Sequence, residues 1–376
     1  MEPPTEQQIR TALAGVDDPE IGRPITELNM VESIAIDAQG RVAVRIRLTV
    51  AGCPLRTKIG NDVRAAVTAV PGVAGTDIDF GVMTEEQRRD LRIQLRGPDS
   101  ESVSALARPD SPTRVYCVVS GKGGVGKSSV TVNLAVALAR RGLRVGIMDA
   151  DVHGHSVPAM LGITAAPTLV ERMMMPPTAF GVRVISIGMF VDDNAPVVWR
   201  GPMLHRALQQ FVNDVYWGEL DILLIDMPPG TGDIAISLAQ LLPTAQLLVV
   251  TTPQRTAARI AERAGAVAAQ TGQRVAGIIE NMSWYDTPDG IRQTPFGAGG
   301  ATAVSRALSG LLDTYCPVIG RIPFDPAVCA AGDQGAPFVD TDPDSAPAMA
   351  IGEIAATLAP IVRRALPVTL VSPVPA

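Results

Sequence analysis

Cysteine is scarce in this chain: Cys53, Cys117, Cys316 and Cys329 are the whole complement in 376 residues. They are too few and too widely spaced to staple a small secreted fold, so reduced thiols in a cytosolic setting are expected. The opening residues, MEPPTEQQIRTALAG, lack the basic stretch followed by an apolar one that marks a signal peptide, and export is not expected. No uninterrupted apolar run reaches the roughly 18 residues a bilayer span requires; the strand-like runs are broken by Asp226, Pro243 or Thr251. Positive charge is not in excess either. Lys and Arg number 32 against 38 Asp and Glu, a formal net charge of -6, which leaves no global basic field for a polyphosphate backbone. Internal repeats, coiled-coil heptads and low-complexity tracts are missing. These absences predict a soluble cytoplasmic protein with no membrane and no nucleic-acid partner.

What is present is enough apolar material to fold: 47% of residues are hydrophobic and 19% charged. The length favours two domains. Residues 97–113, GPDSESVSALARPDSPT, have the composition of a flexible linker, which divides the chain into 1–96, a small α/β domain, and 114–376. In the first part TEQQIRTALAG and RTKIGNDVRAAVTAV read as helices, and MVESIAID, RVAVRIRLTV and GTDIDFGVM as strands. In the second, VYCVVS, RVGIMDAD, VRVISIG, DILLIDMPP, AQLLVVTTP, VAGIIENM and PVIGRIPF are short Val/Ile/Leu-rich runs separated by helix-length segments. Near-continuous apolar strands alternating with helices predict a mostly parallel, doubly wound sheet covered on both faces. Three prolines in the last residues, LPVTLVSPVPA, exclude a regular terminal helix.

The strongest signal is GKGGVGKS at 121–128, between a strand and a helix-forming run, which satisfies the phosphate-loop pattern G-x-x-x-x-G-K-[ST]. Gly121, Gly123, Gly124 and Gly126 allow backbone angles closed to other residues, so that successive N–H groups, through Val125 to Ser128 and Ser129, converge on phosphate oxygens at a helix N-terminus. Lys127 can reach the β- and γ-phosphates of ATP, and the Ser128 hydroxyl can ligate Mg2+. Lys122 is either a solvated surface charge or a group that crosses to the nucleotide of a second subunit. DILLIDMPPGTGD ends a buried strand on Asp226, suited to holding Mg2+. GIMDADVHGHS ends another on Asp149 and Asp151, where a carboxylate can orient the attacking water. Turn or helix capping is the plainer role for these aspartates.

Together the doubled-lysine loop GKGGVGKS, DADVHGHSVPAMLG, LLIDMPPGTGD, the Asn of IIENMS and RIPFDPAVCAAGDQGAPFV resemble the Mrp-type iron-sulfur cluster carrier ATPases, in the P-loop branch that includes MinD, ParA and the nitrogenase iron protein. DDPEIGRPITELNMV and LTVAGCPLRTKIGNDV resemble the small iron-sulfur-assembly domain often fused ahead of such an ATPase. The resemblance implies a homodimer with slow ATP hydrolysis that carries clusters to apoproteins alongside assembly factors. By it Lys122 acts in trans, Lys127 holds phosphate, and Ser128 and Asp226 hold Mg2+. Asp151 positions water, and Asn281 contacts adenine with Pro323 close by. The alternative is a MinD- or ParA-like dimeric switch with no cluster.

One departure bears on the cargo. The family's C-x-x-C after ENMS is absent: the segment reads ENMSWYDTPDGIRQTPFGAGGA, and the two positions fall on Thr287 and either Asp289 or Gly290, which replace thiolate poorly on cluster iron. Cys117, Cys316 and Cys329 read as packing residues. Cys53 lies just ahead of a helix whose dipole would favour thiolate, and is open to either a reactive, cluster-contacting role or a buried turn. His153, His155 and His205 are assigned no metal. Met173–Met175 offer an adaptable partner surface or, by default, an apolar loop over the sheet.

Overall fold

Alternation of apolar and charged residues builds the first unit. The computed structural model describes residues 3–50, 53, 55–96, 104–152, 154–190, 201–230, 233–254 and 268–359. Helix α1 (Glu6–Leu13) starts at Thr5, which forms a reciprocal capping box with Gln8, and buries Ile9 and Leu13. Strands β1 (Val31–Ile36) and β2 (Arg41–Leu48) form an antiparallel pair, helix α2 (Arg56–Thr68) crosses over, and β3 (Gly75–Val82) adds parallel to β2. β2 sends Val42, Val44, Ile46 and Leu48 into the core and its arginines outward, as a period of two requires. Ile59, Val63 and Val67 of α2 line up at helical spacing against them. A further helix, α3 (Glu85–Arg96), follows β3; its dense charge hides a narrow apolar stripe that includes the buried Leu91 and the half-buried Leu95.

The second unit contains β4 (Arg114–Ser120), α4 (Lys127–Arg140), β5 (Val145–Asp149), β6 (Thr168–Val170), β7 (Met173–Met175), β8 (Thr178–Ala179), β9 (Val182–Ser186), α5 (Gly201–Asn213), β10 (Ile222–Asp226), α6 (Asp233–Leu241), β11 (Gln246–Thr251), β12 (Val275–Glu280), β13 (Tyr285–Asp286), β14 (Arg292–Gln293), α7 (Gly300–Leu312), β15 (Val318–Arg321), α8 (Pro326–Asp333) and α9 (Ala346–Leu358). Eight of the strands form one sheet in the order β8-β9-β5-β10-β4-β11-β12-β15, parallel apart from the edge strand β8. Each face has its own core. Val115, Cys117 and Val119 of β4 point to the side covered by α5, α6 and α7, and Tyr116 and Val118 to the side of α4 and α9. This is the doubly wound α/β arrangement the run of apolar strands predicts. Neighbouring β4, β10 and β5 all end at the same edge, and the register sets Asp226 directly beside Asp149.

The two units meet through the methionine triplet. Met173–Met175 is neither an exposed partner surface nor a loop over the sheet: it is strand β7, paired antiparallel with β6. Met173 and Met175 face the first unit's core with Val170 and Tyr216, whereas Met174 faces the opposite way into the sheet's own core. Polar contacts frame this joint. Arg92 pairs with Glu171 at 3.1 Å, Thr168 Oγ1 donates to Glu20 at 3.1 Å, and Arg183 donates to the Ile21 and Trp217 carbonyls. Of the segment expected as a linker, 97–103 lies outside the described residues. The rest is anchored: Ala105–Ala107 make a 3-10 turn that buries Leu106 in the sheet's core, and Thr113 Oγ1 donates to the Leu220 carbonyl. The proline-rich tail expected to be non-helical also lies outside the described residues. Among the described residues no helix is long and apolar enough to cross a membrane.

Candidate functional site

The loop from Ser120 to Lys127 joins the central strand β4 to α4, at the sheet edge where parallel sheets place their ligands. Gly124 (φ 78°) and Gly126 (φ 79°, the N-cap of α4) have left-handed backbone. Gly121 and Gly123 do not, so two of the four expected glycines serve that purpose. A side chain at Gly126 would also run into the Asn281 amide, whose Nδ2 donates to the Val125 carbonyl at 2.9 Å. Asn281, at the end of β12, therefore braces the loop from outside. Val125 itself turns inward and is buried.

Behind the loop lies a cluster of charge. Lys127 is buried, its Nζ 2.7 Å from Asp226 Oδ2 and 3.7 Å from Asp151 Oδ2. Ser128 Oγ donates to Asp226 Oδ2 at 2.6 Å, and Thr131 Oγ1 lies 2.9 Å from Asp226 Oδ1. Asp149, wholly buried, accepts from Ser186 Oγ at 2.9 Å and from the Asp151 N–H at 3.1 Å. Its carboxyl is pushed up to about 7, first by burial and then by the neighbouring Asp226 charge. Asp151 accepts from the Gly154 N–H. Three carboxylates face one ammonium, an oxygen-rich and negative environment that fits a small hard cation, with Ser128 and Asp226 as the adjacent donors. Among the described residues no three His, Cys, Asp or Glu side chains converge as a closed cage, which suits Mg2+ that keeps water and phosphate oxygens among its ligands.

Lys122 stands apart from this cluster and donates to Gln254 Oε1 at 2.9 Å. Beside α4 a cavity of about 220 Å3 is lined by Gly126, Ser129, Asn281, Pro323, Phe324 and Cys329 among others, a mainly apolar slot one helical turn from the loop. Thr131, Ser186 and Gln254 were not singled out from sequence. Thr131 could have been, because it follows Ser128 by three positions on one helix face; Ser186 ends the distant strand β9, and Gln254 lies in the bend after β11.

The stretch where the resemblance leads one to expect a cysteine pair is a self-bonded hairpin, β13–β14. Arg292 holds Asp286 through two bonds of 2.8 and 2.9 Å and stacks 4.5 Å over Trp284, whose Nε1 donates to Asp286. Thr287, Asp289 and Gly290 form its turn, closed by bonds between Thr287 and Ile291. The thiols are dispersed. Cys117 is buried and pushed up to about 12 by desolvation, and Cys316 is buried too. Cys329, expected to pack, is exposed on α8 at the rim of the slot. Cys53 is half-buried, and its thiol is raised, not lowered: burial dominates and the Glu20 and Asp18 carboxylates add to it, outweighing backbone N–H groups at the start of α2. His155 packs its ring on Gly188, His205 sits on α5, and His153 lies outside the described residues.

The family model of the NUBPL iron-transfer P-loop NTPases matches residues 111–359, and that of an iron-sulfur cluster assembly protein matches 6–80. The iron-sulfur cluster carrier protein of Mycobacterium tuberculosis (strain ATCC 25618 / H37Rv) is 59% identical over 338 residues, 90% of this chain and 89% of that one. Its namesake in Bacillus subtilis is 40% identical over 321 residues, 85% and 88% of the two chains. Among solved structures, a nucleotide-binding protein from Archaeoglobus fulgidus in complex with ADP is 32% identical with a TM-score of 0.51, covering 67% of this chain and 91% of its own. With one family model spanning most of the chain and close relatives spanning both units, the chain belongs to the NUBPL iron-transfer P-loop NTPase family.

Proposed function

We propose that this protein is a nucleotide-switched carrier of iron-sulfur clusters: it binds Mg·ATP at the 121–129 loop, hydrolyses it slowly, and couples that cycle to holding and releasing a cluster for apoproteins. The observation that carries the nucleotide half is the Lys127, Ser128 and Asp226 constellation, closed within 2.7 Å beside a positive-φ glycine loop. Lys127 neutralises Asp226. With Mg·ATP bound, Lys127 would turn to the phosphates, and Ser128 and Asp226 would hold the Mg2+. A bound cation would supply charge neutralisation to the phosphate oxygens. Asp151, held by the Gly154 N–H, orients the attacking water. The Asn281 amide, with its N–H2 already committed to Val125, keeps its oxygen available for the amino group of adenine. Lys122 leaves Gln254 and reaches the nucleotide of a second copy, which makes the active form a homodimer.

The cluster half rests on the relatives' names and on the matched assembly domain at 6–80. A cluster-free positioning switch is not favoured, because the relatives match across both units. With hairpin β13–β14 where family thiols would stand, the accessible thiols left for a cluster are Cys53 and Cys329.

The nucleotide reading is tested by calorimetry and turnover. Lys127→Ala is expected to lose Mg·ATP affinity, and Lys122→Ala to keep affinity and lose hydrolysis; unchanged turnover in the second variant removes the trans role. The cargo reading is tested by anaerobic reconstitution with iron and sulfide, followed by transfer to an apo-ferredoxin. Absence of bound iron and acid-labile sulfide under those conditions rejects it.

A further inference from the structure

A second cavity, about 650 Å3 in volume, opens at the joint between the two units. Its wall includes Thr113 and Arg144, just ahead of β4 and β5, and Glu219, just ahead of β10. It therefore lies at the sheet edge opposite the phosphate loop. Among the described residues four guanidinium groups, Arg23, Arg108, Arg144 and Arg183, face a single lining carboxylate, Glu219. In a chain of net charge -6 this is a local reversal of sign.

Two of the four are already neutralised. Arg144 sits 2.6 Å from Glu219 and 3.0 Å from Asp221, and Arg23 is 3.1 Å from Glu27. The other two are not. Arg108 is exposed and has no ion pair among the described residues. Arg183 is partly buried and donates to two carbonyls, Trp217 at 2.5 Å in its own unit and Ile21 at 3.3 Å in the other, while lying 5.8 Å from the Tyr216 ring centre. No carboxylate pairs with it among the described residues, and two of its five N–H donors are used. Gly22 and Gly218, both with left-handed backbone, make the room: a side-chain carbon at either would press on the guanidinium. Burial and the proximity of Arg144 disfavour its charge as it stands. An uncharged amide would serve two carbonyls at lower cost. A guanidinium in this position, with spare donors and a second cation nearby, has the chemistry of an oxyanion receptor.

We propose that this cavity binds a small multivalent oxyanion, bearing phosphate or carboxylate groups, which bridges Arg183 and Arg108 and strengthens the joint between the units. The proposal is independent of the nucleotide reading. It is tested by calorimetry on the full-length chain at about 0.15 M salt, where diffuse attraction is screened. Inorganic pyrophosphate and citrate serve as the probes, and the background is Lys127→Ala so that the phosphate loop does not contribute. One probe is expected to bind at one site per chain, and which one it is decides between phosphate and carboxylate. Adding R108E, a change at an exposed side chain that folding tolerates, should weaken binding at least tenfold; R183K, which keeps the charge and loses the fork, should weaken it as well. The proposal is overturned if neither probe binds, or if both arginine variants bind as the parent does.

Discussion

Replacing Asp149 by Asn should make stability less dependent on pH, by an amount the structure sets. Asp149 ends β5 with no exposed surface, and burial together with the Asp226 charge pushes its carboxyl up from an ordinary 3.8 to about 7. The folded state thus holds the proton more tightly than the unfolded one. Its contribution is fully present below the ordinary value and is lost as pH rises through 7, because the charged form must then be accommodated beside Asp226. A shift of that size corresponds to about 4 kcal/mol in all, and to about 2.5 kcal/mol between pH 5 and 8. Asn is neutral throughout, and its oxygen can still accept from Ser186 and the Asp151 N–H. Urea midpoints of the nucleotide-free protein, measured across pH 5 to 8, should therefore show D149N gaining on the wild type by about 2–3 kcal/mol as pH rises. D226N, which removes the neighbouring charge, should flatten the wild-type dependence in part. A wild-type to D149N difference that stays constant with pH would falsify the account of this cluster.

Three further outcomes follow from other parts of the molecule. Gly126→Ala combines a left-handed φ with a clash on Asn281, and should lower nucleotide affinity at least tenfold while leaving the far-UV spectrum intact; unchanged affinity would mean the loop adapts freely. Met175→Ala empties a buried position at the joint and should cost about 2–5 kcal/mol, seen as earlier unfolding of the first unit; Leu169→Ala on the adjacent strand is more than half exposed and should cost well under 1 kcal/mol. Iodoacetamide at pH 8 should modify Cys329 first and Cys53 slowly, and reach Cys117 and Cys316 only on unfolding; fast labelling of Cys53 would contradict its raised thiol.

How much of this was legible in advance depended on how local the signal was. The apolar runs became strands because each is buried on both faces, and GKGGVGKS announced its strand-loop-helix setting through glycine and the helix start that follows. Helix α3 was overlooked since charge dominates its composition and only two leucines carry its packing. The Met triplet was misjudged because three consecutive apolar residues say nothing about which neighbour each will face; pairing with β6 sends the outer two one way and the middle one the other. For Cys53 the helix start was legible, but the carboxylates of Asp18 and Glu20 beside it come from a segment more than thirty residues earlier, and burial outweighs the dipole. Cys329 read as core because its neighbours are small and apolar, yet α8 buries none of its residues.

The order of strands and helices, the phosphate loop and the acidic strand ends were determined by the sequence alone, because each depends on residues within one or two turns of chain. Tertiary structure decided which of those acids is buried and pushed up, which of them hold Lys127, where the idle Lys122 rests, and how the first unit is fastened to the second. Those outcomes depend on burial and on contacts between segments a hundred residues apart, and no local pattern encodes the dielectric a side chain will meet.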